Sequence, residues 1–179
     1  DYKVNFDHND SNKWIWQKEG IEDFEVRSQT IDFTVDRVDY YGYNMSLSQI
    51  IPIDIYNRTA YTLVCETNFD NQFVFLTEKT VKPILARRLF ITLGNQYHLA
   101  ALRRLGFKTF DGIIDESYDS IEDPVLRLRA VTEILKDLST MDSDQQKAML
   151  RDMEPILEHN YNLFNDPNFI RNEWDYLKT

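Results

Sequence analysis

With 179 residues the chain is long enough to bury one substantial core, and a formal charge of −10 excludes the basic footprint that nonspecific nucleic-acid binding or docking on an anionic membrane requires. Its single cysteine, Cys65, excludes an intrachain disulfide and suits a reducing, cytoplasmic compartment. No apolar run reaches membrane-spanning length, no signal-peptide pattern is legible, and His8, His98 and His159 are too scattered to form a metal-ligand cluster.

In chain order, Asp1–Asp10 is polar, and Trp14-Ile15-Trp16 and Phe24-Glu25-Val26 are short apolar runs. Ile31–Asp36 alternates with period two, as a strand with one buried face does. Tyr40-Tyr41-Gly42-Tyr43 reads as an aromatic loop, and Ile53–Ala60 as a short helix. Tyr61–Cys65 is a mostly apolar run, the pattern of a strand covered on both faces, and it ends at Glu66. Cys65 is expected to be buried and unreactive there. Thr77 is a good N-cap, so Thr77-Glu78-Lys79 opens a helix. Pro83 either kinks that helix or marks where its main part begins.

Leu89–Leu93 is a second buried strand, ended by Gly94-Asn95. Leu99, Leu102 and Leu105 recur at helical spacing up to Gly106, and a third short strand follows. Asp115–Asp119 reads as a solvated loop or helix lead-in, and His98 as a helix-surface residue. Lys82, Arg87 and Arg88 are either a phosphate rim or a solvated helix face. Asp123-Pro124 starts a helix striped by Val125, Leu128, Val131, Leu135 and Leu138. A second helix follows over about 145–157, with Ala148, Leu150, Met153 and Ile156 as its apolar set and Pro155 bending its end. Phe164, Phe169, Trp174 and Tyr176 belong to a closing segment.

The expected fold is therefore a single α/β domain over 1–179, Rossmann-like, with a mostly parallel, doubly wound sheet and a helical C-terminal extension. Residues 1–55 are its irregular or strand-containing part, 56–122 its core and 123–179 its helical part. Such sheets bind ligands at the carboxyl ends of their strands. That places Glu66, Thr77, Glu78, Lys79 and Gly94 at the candidate site. The strand ends at Glu66 and Leu93 are expected side by side, with the Thr77 helix start between them.

Glu66, Phe75-Leu76-Thr77-Glu78-Lys79, Phe90-Ile91 and Gly94, taken together, resemble the donor-sugar-binding motif of the family 10 (α1,3/4-fucosyltransferase-like) glycosyltransferases. Thr77–Ile84, Gly106–Phe110 and Asp115–Asp119 are similar to phrases shared by phage and marine-microbial glycosyltransferase-like proteins. The resemblance spans Tyr56 to Leu138. The chain departs from the family pattern with Thr67 for an asparagine (Asn68 is next door), Phe75 for a tyrosine, and a longer loop between the two glutamates.

The resemblance implies one half of a two-domain, GT-B-like enzyme that transfers a sugar from a nucleotide diphosphate to an acceptor hydroxyl. It implies no cofactor and no metal in the donor site. Donor-binding roles fall to Glu78, facing the ribose, and Lys79, facing the diphosphate, and the resemblance adds Asn68 to the donor-binding residues. It also implies an acceptor domain ahead of residue 1 that carries the general base, and no turnover by these residues alone. The alternatives are a stand-alone nucleotide- or sugar-binding module, and a non-catalytic phage interaction protein that kept the fold.

Overall fold

The computed structural model describes residues 37–40, 42–70 and 73–169. They fall into two compact units, Asp1–Ile50 and Ile51–Thr179. The expected strand at Ile31–Asp36, the apolar runs before it, and Trp174 and Tyr176 lie outside the described residues.

In the first unit, strands β1 (Arg37–Tyr40) and β2 (Tyr43–Ser46) pair antiparallel, with Arg37 opposite Ser46 and Tyr40 opposite Tyr43. The aromatic segment read as a loop is thus a tight hairpin. Gly42 sits in its turn at φ +81°, a conformation that costs glycine little. One 3-10 turn, Leu47–Gln49, follows, and Gln49 Oε1 accepts from the Ser46 N–H at 3.0 Å.

In the second unit, α1 (Ile53–Tyr56) is a single turn, shorter than expected. Strand β3 (Tyr61–Cys65), helix α2 (Glu78–Leu85) and strand β4 (Leu89–Leu93) then form a parallel β–α–β unit. Tyr61 lies opposite Leu89 and Cys65 opposite Leu93. Helix α2 runs through Pro83 without ending there, so the proline sits inside one continuous helix. Leu89, Phe90, Ile91 and Thr92 are all buried, as a strand covered on both faces requires.

Strand β3 differs from its expected pattern. Val64 is buried, but Leu63 and Cys65 on the opposite face are exposed. The expectation of a buried Cys65 is therefore wrong: one face of β3 lacks a covering layer among the described residues. Burial of its surroundings still pushes the Cys65 thiol above its ordinary pKa; nearby Lys79 opposes this and Glu66 adds to it.

The parallel sheet has two strands among the described residues, and the chain is mixed α/β. The short strand expected after Gly106 is absent. Lys108 instead exchanges both its backbone groups with the side-chain amide of Asn160, each at 2.8 Å. The Phe110 N–H goes to Glu116 Oε1 at 2.6 Å. Side chains thus satisfy the backbone that a sheet neighbour would otherwise pair. The far edge of β4 is closed the same way, because the Thr92 N–H donates to the Tyr118 hydroxyl at 3.2 Å.

Helices α3 (His98–Arg104), α4 (Pro124–Thr140) and α5 (Ser143–Asn165) complete the unit. Asp123 caps α4 by accepting from Val125 and Leu126, and Asp142 caps α5 in a capping box with Gln145. Helix α5 continues well past its expected end, with Pro155 in its interior. Of the expected apolar set, Met153 is buried and Ile156 packs against the core, whereas Leu150 is exposed and Met149 and Asn160 are buried in addition. His159 bonds the Gly106 carbonyl at 2.8 Å, which with Asn160 holds the C-terminal half of the helix in place. Phe107 and Phe169 meet edge-on at 5.4 Å and Phe90 and Phe110 at 5.1 Å, within the single apolar core. Among the described residues no helix is long and apolar enough to cross a membrane.

Candidate functional site

The carboxyl ends of β3 and β4 lie side by side, as expected. The Glu66 N–H donates to the Leu93 carbonyl at 2.9 Å, one step beyond the last paired residues. The start of α2 sits against them through Glu66, which is only 6% exposed. Thr77 Oγ1 donates to Glu66 Oε2 at 2.6 Å, and Thr80 Oγ1 donates to Glu66 Oε1 at 2.8 Å. Both carboxylate oxygens are thus held by hydroxyls from the first turn of α2. Glu66 is a bracket that fixes the helix start on the sheet, with short, charge-assisted bonds.

Thr77 is the N-cap, and its hydroxyl accepts from the Lys79 N–H at 3.2 Å. Its carbonyl accepts from Thr80 and Val81. Of the N–H groups in this first turn, that of Glu78 carries no hydrogen bond among the described residues. The Lys79 ammonium donates to Thr67 Oγ1 at 2.7 Å and so leans over the loop that leaves β3. The Glu78 side chain is exposed, and Asn68 is half-buried in the β3 loop. Glu66, Thr77, Lys79 and, through Thr67, the β3 loop are therefore one connected group. Gly94 joins it from the β4 side by close packing: a Cβ there would lie 3.1 Å from His98 Nδ1. Among the described residues no group of His, Cys, Asp or Glu is arranged to hold a metal ion.

His98 is buried, not a helix-surface residue. Its Nε2 lies 3.4 Å from Thr80 Oγ1, and its Nδ1 has no hydrogen-bond partner among the described residues. Burial pushes its pKa below the ordinary value, against the pull of Glu66 and Asp119.

Asp115–Asp119 is the largest departure from the sequence reading. Ser117–Ser120 is a 3-10 helix that leads toward α4, and Asp115 and Ser117 are exposed, but Glu116, Tyr118 and Asp119 are buried rather than solvated. Asp119 accepts from the Leu99 N–H at 2.7 Å and the Ala100 N–H at 3.0 Å, and so caps α3 from a distance. Glu116 accepts from Thr109 at 2.6 Å and Arg103 at 2.9 Å as well as from Phe110. Burial raises the Glu116 pKa, while these partners pull it down. Arg87 and Arg88 are not a phosphate rim either. The Arg87 guanidinium lies 4.0 Å over the Tyr161 ring and 3.4 Å from Glu158, and Arg88 donates to the Tyr56 carbonyl at 2.8 Å.

The residue that the sequence reading missed is Arg127. It is 2% exposed, and its three guanidinium nitrogens all donate to backbone carbonyls. Nε reaches Gly94 O at 2.9 Å, Nη2 reaches Phe69 O at 2.6 Å, and Nη1 reaches Ile121 O at 2.5 Å and Glu122 O at 3.2 Å. Phe69 stacks on it, with the ring centre 5.0 Å away. The available signal was its position on the α4 stripe, four, seven and eleven residues before buried Val131, Ile134 and Leu138.

The arrangement offers an anion two donors at one corner of a parallel sheet, the Lys79 ammonium and the vacant Glu78 N–H, with an exposed carboxylate next to them. Comparison with known protein families, characterised proteins and solved structures gives no match to this chain.

Proposed function

We propose that residues Glu66 to Gly94 form the donor-binding surface of a glycosyltransferase that moves a sugar from a nucleotide diphosphate to an acceptor hydroxyl. In this reading the two parallel strands belong to a Rossmann-like, GT-B-type donor half, working in the cytoplasm without a cofactor or metal. The observation that carries the reading is the Lys79 ammonium, poised at the N-terminus of α2 beside the ends of β3 and β4. The helix dipole and the vacant Glu78 N–H favour a diphosphate at that point, and a lysine there stabilises charge that develops on a leaving diphosphate. Glu78, exposed in the same turn, accepts from the ribose hydroxyls. Glu66 and Thr77 act one step back, by seating the helix start.

A screen with guanosine, uridine, adenosine and cytidine diphosphates tests this. A ligand present at a hundred times its dissociation constant adds about 2.7 kcal/mol of stability, which a thermal-shift measurement detects. One of the four should stabilise the protein, and Glu78→Ala should weaken that nucleotide and its nucleoside alike. The second reading, a non-catalytic interaction protein that kept the fold, is favoured by one observation. The polar atoms of Glu66 and Thr77 are already engaged within the protein. No stabilisation by any of the four nucleotides at millimolar concentration would select it.

A further inference from the structure

We propose that Arg127 is the positioning residue of the strand-end site, an inference that rests on the donor-binding reading above. Three separate segments converge on the carboxyl ends of β3 and β4: the loop that carries Asn68 and Phe69, the Gly94 turn, and the chain at Ile121-Glu122. These positions are 58, 33 and 6 residues from Arg127 in sequence, and one side chain bonds to all three. The planar guanidinium fork makes this possible, since its nitrogens point in fixed, divergent directions. Burial pushes the Arg127 pKa down, while Asp70, Asp119 and Asp123 hold it up, so the cation stays in place among acidic neighbours.

The arrangement differs from a generic stabilising contact in where it acts. The hydrogen bonds of the Arg127 guanidinium go to backbone carbonyls and not to the side chains of Glu66, Thr77, Glu78 or Lys79. Arg127 fixes the Phe69 backbone, two residues after Thr67, which holds the Lys79 ammonium, against the backbone of Gly94. The spacing of the Phe69 loop and the Gly94 turn beyond the paired strand ends is therefore set by this side chain. A loop order of this kind determines ligand affinity through preorganisation without any contact to the ligand.

Arg127→Lys keeps the charge but presents one nitrogen, which cannot span three carbonyls. The reporter is the Glu66 N–H, bonded to Leu93 O at the strand ends, with the α5 amides as an internal reference. In Arg127→Lys, exchange at Glu66 should accelerate about tenfold or more while α5 amides stay within about twofold, the signature of local opening. The nucleotide diphosphate that wild type binds should bind about tenfold more weakly by calorimetry. Unchanged exchange at Glu66, equal acceleration throughout α5, or unchanged affinity in a variant with loosened strand ends would each overturn the proposal. Arg127→Gln serves where the lysine variant does not fold, and failure of both to fold assigns Arg127 to global stability and overturns it too. If wild type binds none of the four nucleoside diphosphates, the donor reading fails, and the exchange measurement still decides whether Arg127 orders the strand ends.

Discussion

Helices α2 and α3 both begin at the carboxyl edge of the same two-stranded sheet, yet their N-termini are finished in opposite ways. At α3 the first amides are closed by the buried carboxylate of Asp119, itself 3.7 Å from Arg103. At α2 the cap is a neutral threonine hydroxyl, a lysine follows two residues later, and one N–H is left over. At α3 the carboxylate bonds the helix amides directly, whereas at α2 the buried Glu66 carboxylate reaches the helix only through the Thr77 and Thr80 hydroxyls. Two helix starts in one fold therefore serve different ends, one sealing the core and the other leaving the Lys79 ammonium at the surface of the strand ends. The donor site is proposed at the second for that reason.

The comparison breaks most visibly at Asp119. Asp119→Ala removes two charge-assisted bonds to backbone amides, each of about 1.5–3 kcal/mol, and should lower unfolding stability by about 3 kcal/mol or more in urea titrations. The cost at the open end is smaller. Thr77→Ala loses an N-cap and one partner of Glu66, and should cost about 1–2 kcal/mol. An equal loss at Thr77 and Asp119 would mean that the two caps are equivalent after all. Lys79→Ala should alter stability by no more than about 0.5 kcal/mol, since its bond to Thr67 is exposed.

His98 bears on the buried connection between the two ends, facing Thr80 of α2 and, electrostatically, Glu66 and Asp119. Its folded pKa lies below the ordinary value of 6.5. The folded state thus binds fewer protons than the unfolded state in that window. Its contribution to stability is complete above pH 6.5 and is lost as pH falls through the folded value. Wild type should lose stability between pH 7 and 5 more steeply than His98→Gln, as followed by denaturant titration at each pH. Parallel curves would remove His98 from the account. The smallest effect concerns Cys65. An uncharged thiol reagent should reach it in the native protein, with a labelling rate still climbing past pH 9, because the thiol is pushed above 9.0.

Much of the open end was legible in sequence, and little of the sealed one. The parallel pairing of Tyr61–Cys65 with Leu89–Leu93 and the Thr77 cap follow from local signals, a short apolar run and a hydroxyl before a helix. Asp119, Glu116 and Tyr118 gave no such signal. Their partners Leu99, Arg103 and Thr92 are remote in sequence, and a string of acidic and hydroxyl residues looks solvated until those partners are known. The same blindness hid Arg127, whose acceptors are backbone carbonyls that no side-chain pattern reveals. The missing third strand has a related cause. Phe107–Phe110 is apolar enough to read as a strand, but Asn160 and Glu116 take the hydrogen bonds that a ladder would have made. The open face of β3 was misread because an apolar run of five residues does not say whether one face or two are covered.

The claim that α2 presents an anion site is tested most directly by calorimetric titration of wild type and Lys79→Ala with nucleoside diphosphates and the matching nucleosides. A charge-assisted bond contributes about 1.5–3 kcal/mol, so the account predicts at least a roughly tenfold weaker diphosphate in Lys79→Ala, with nucleoside affinity nearly unchanged. Equal affinity of both proteins for the diphosphate would contradict it.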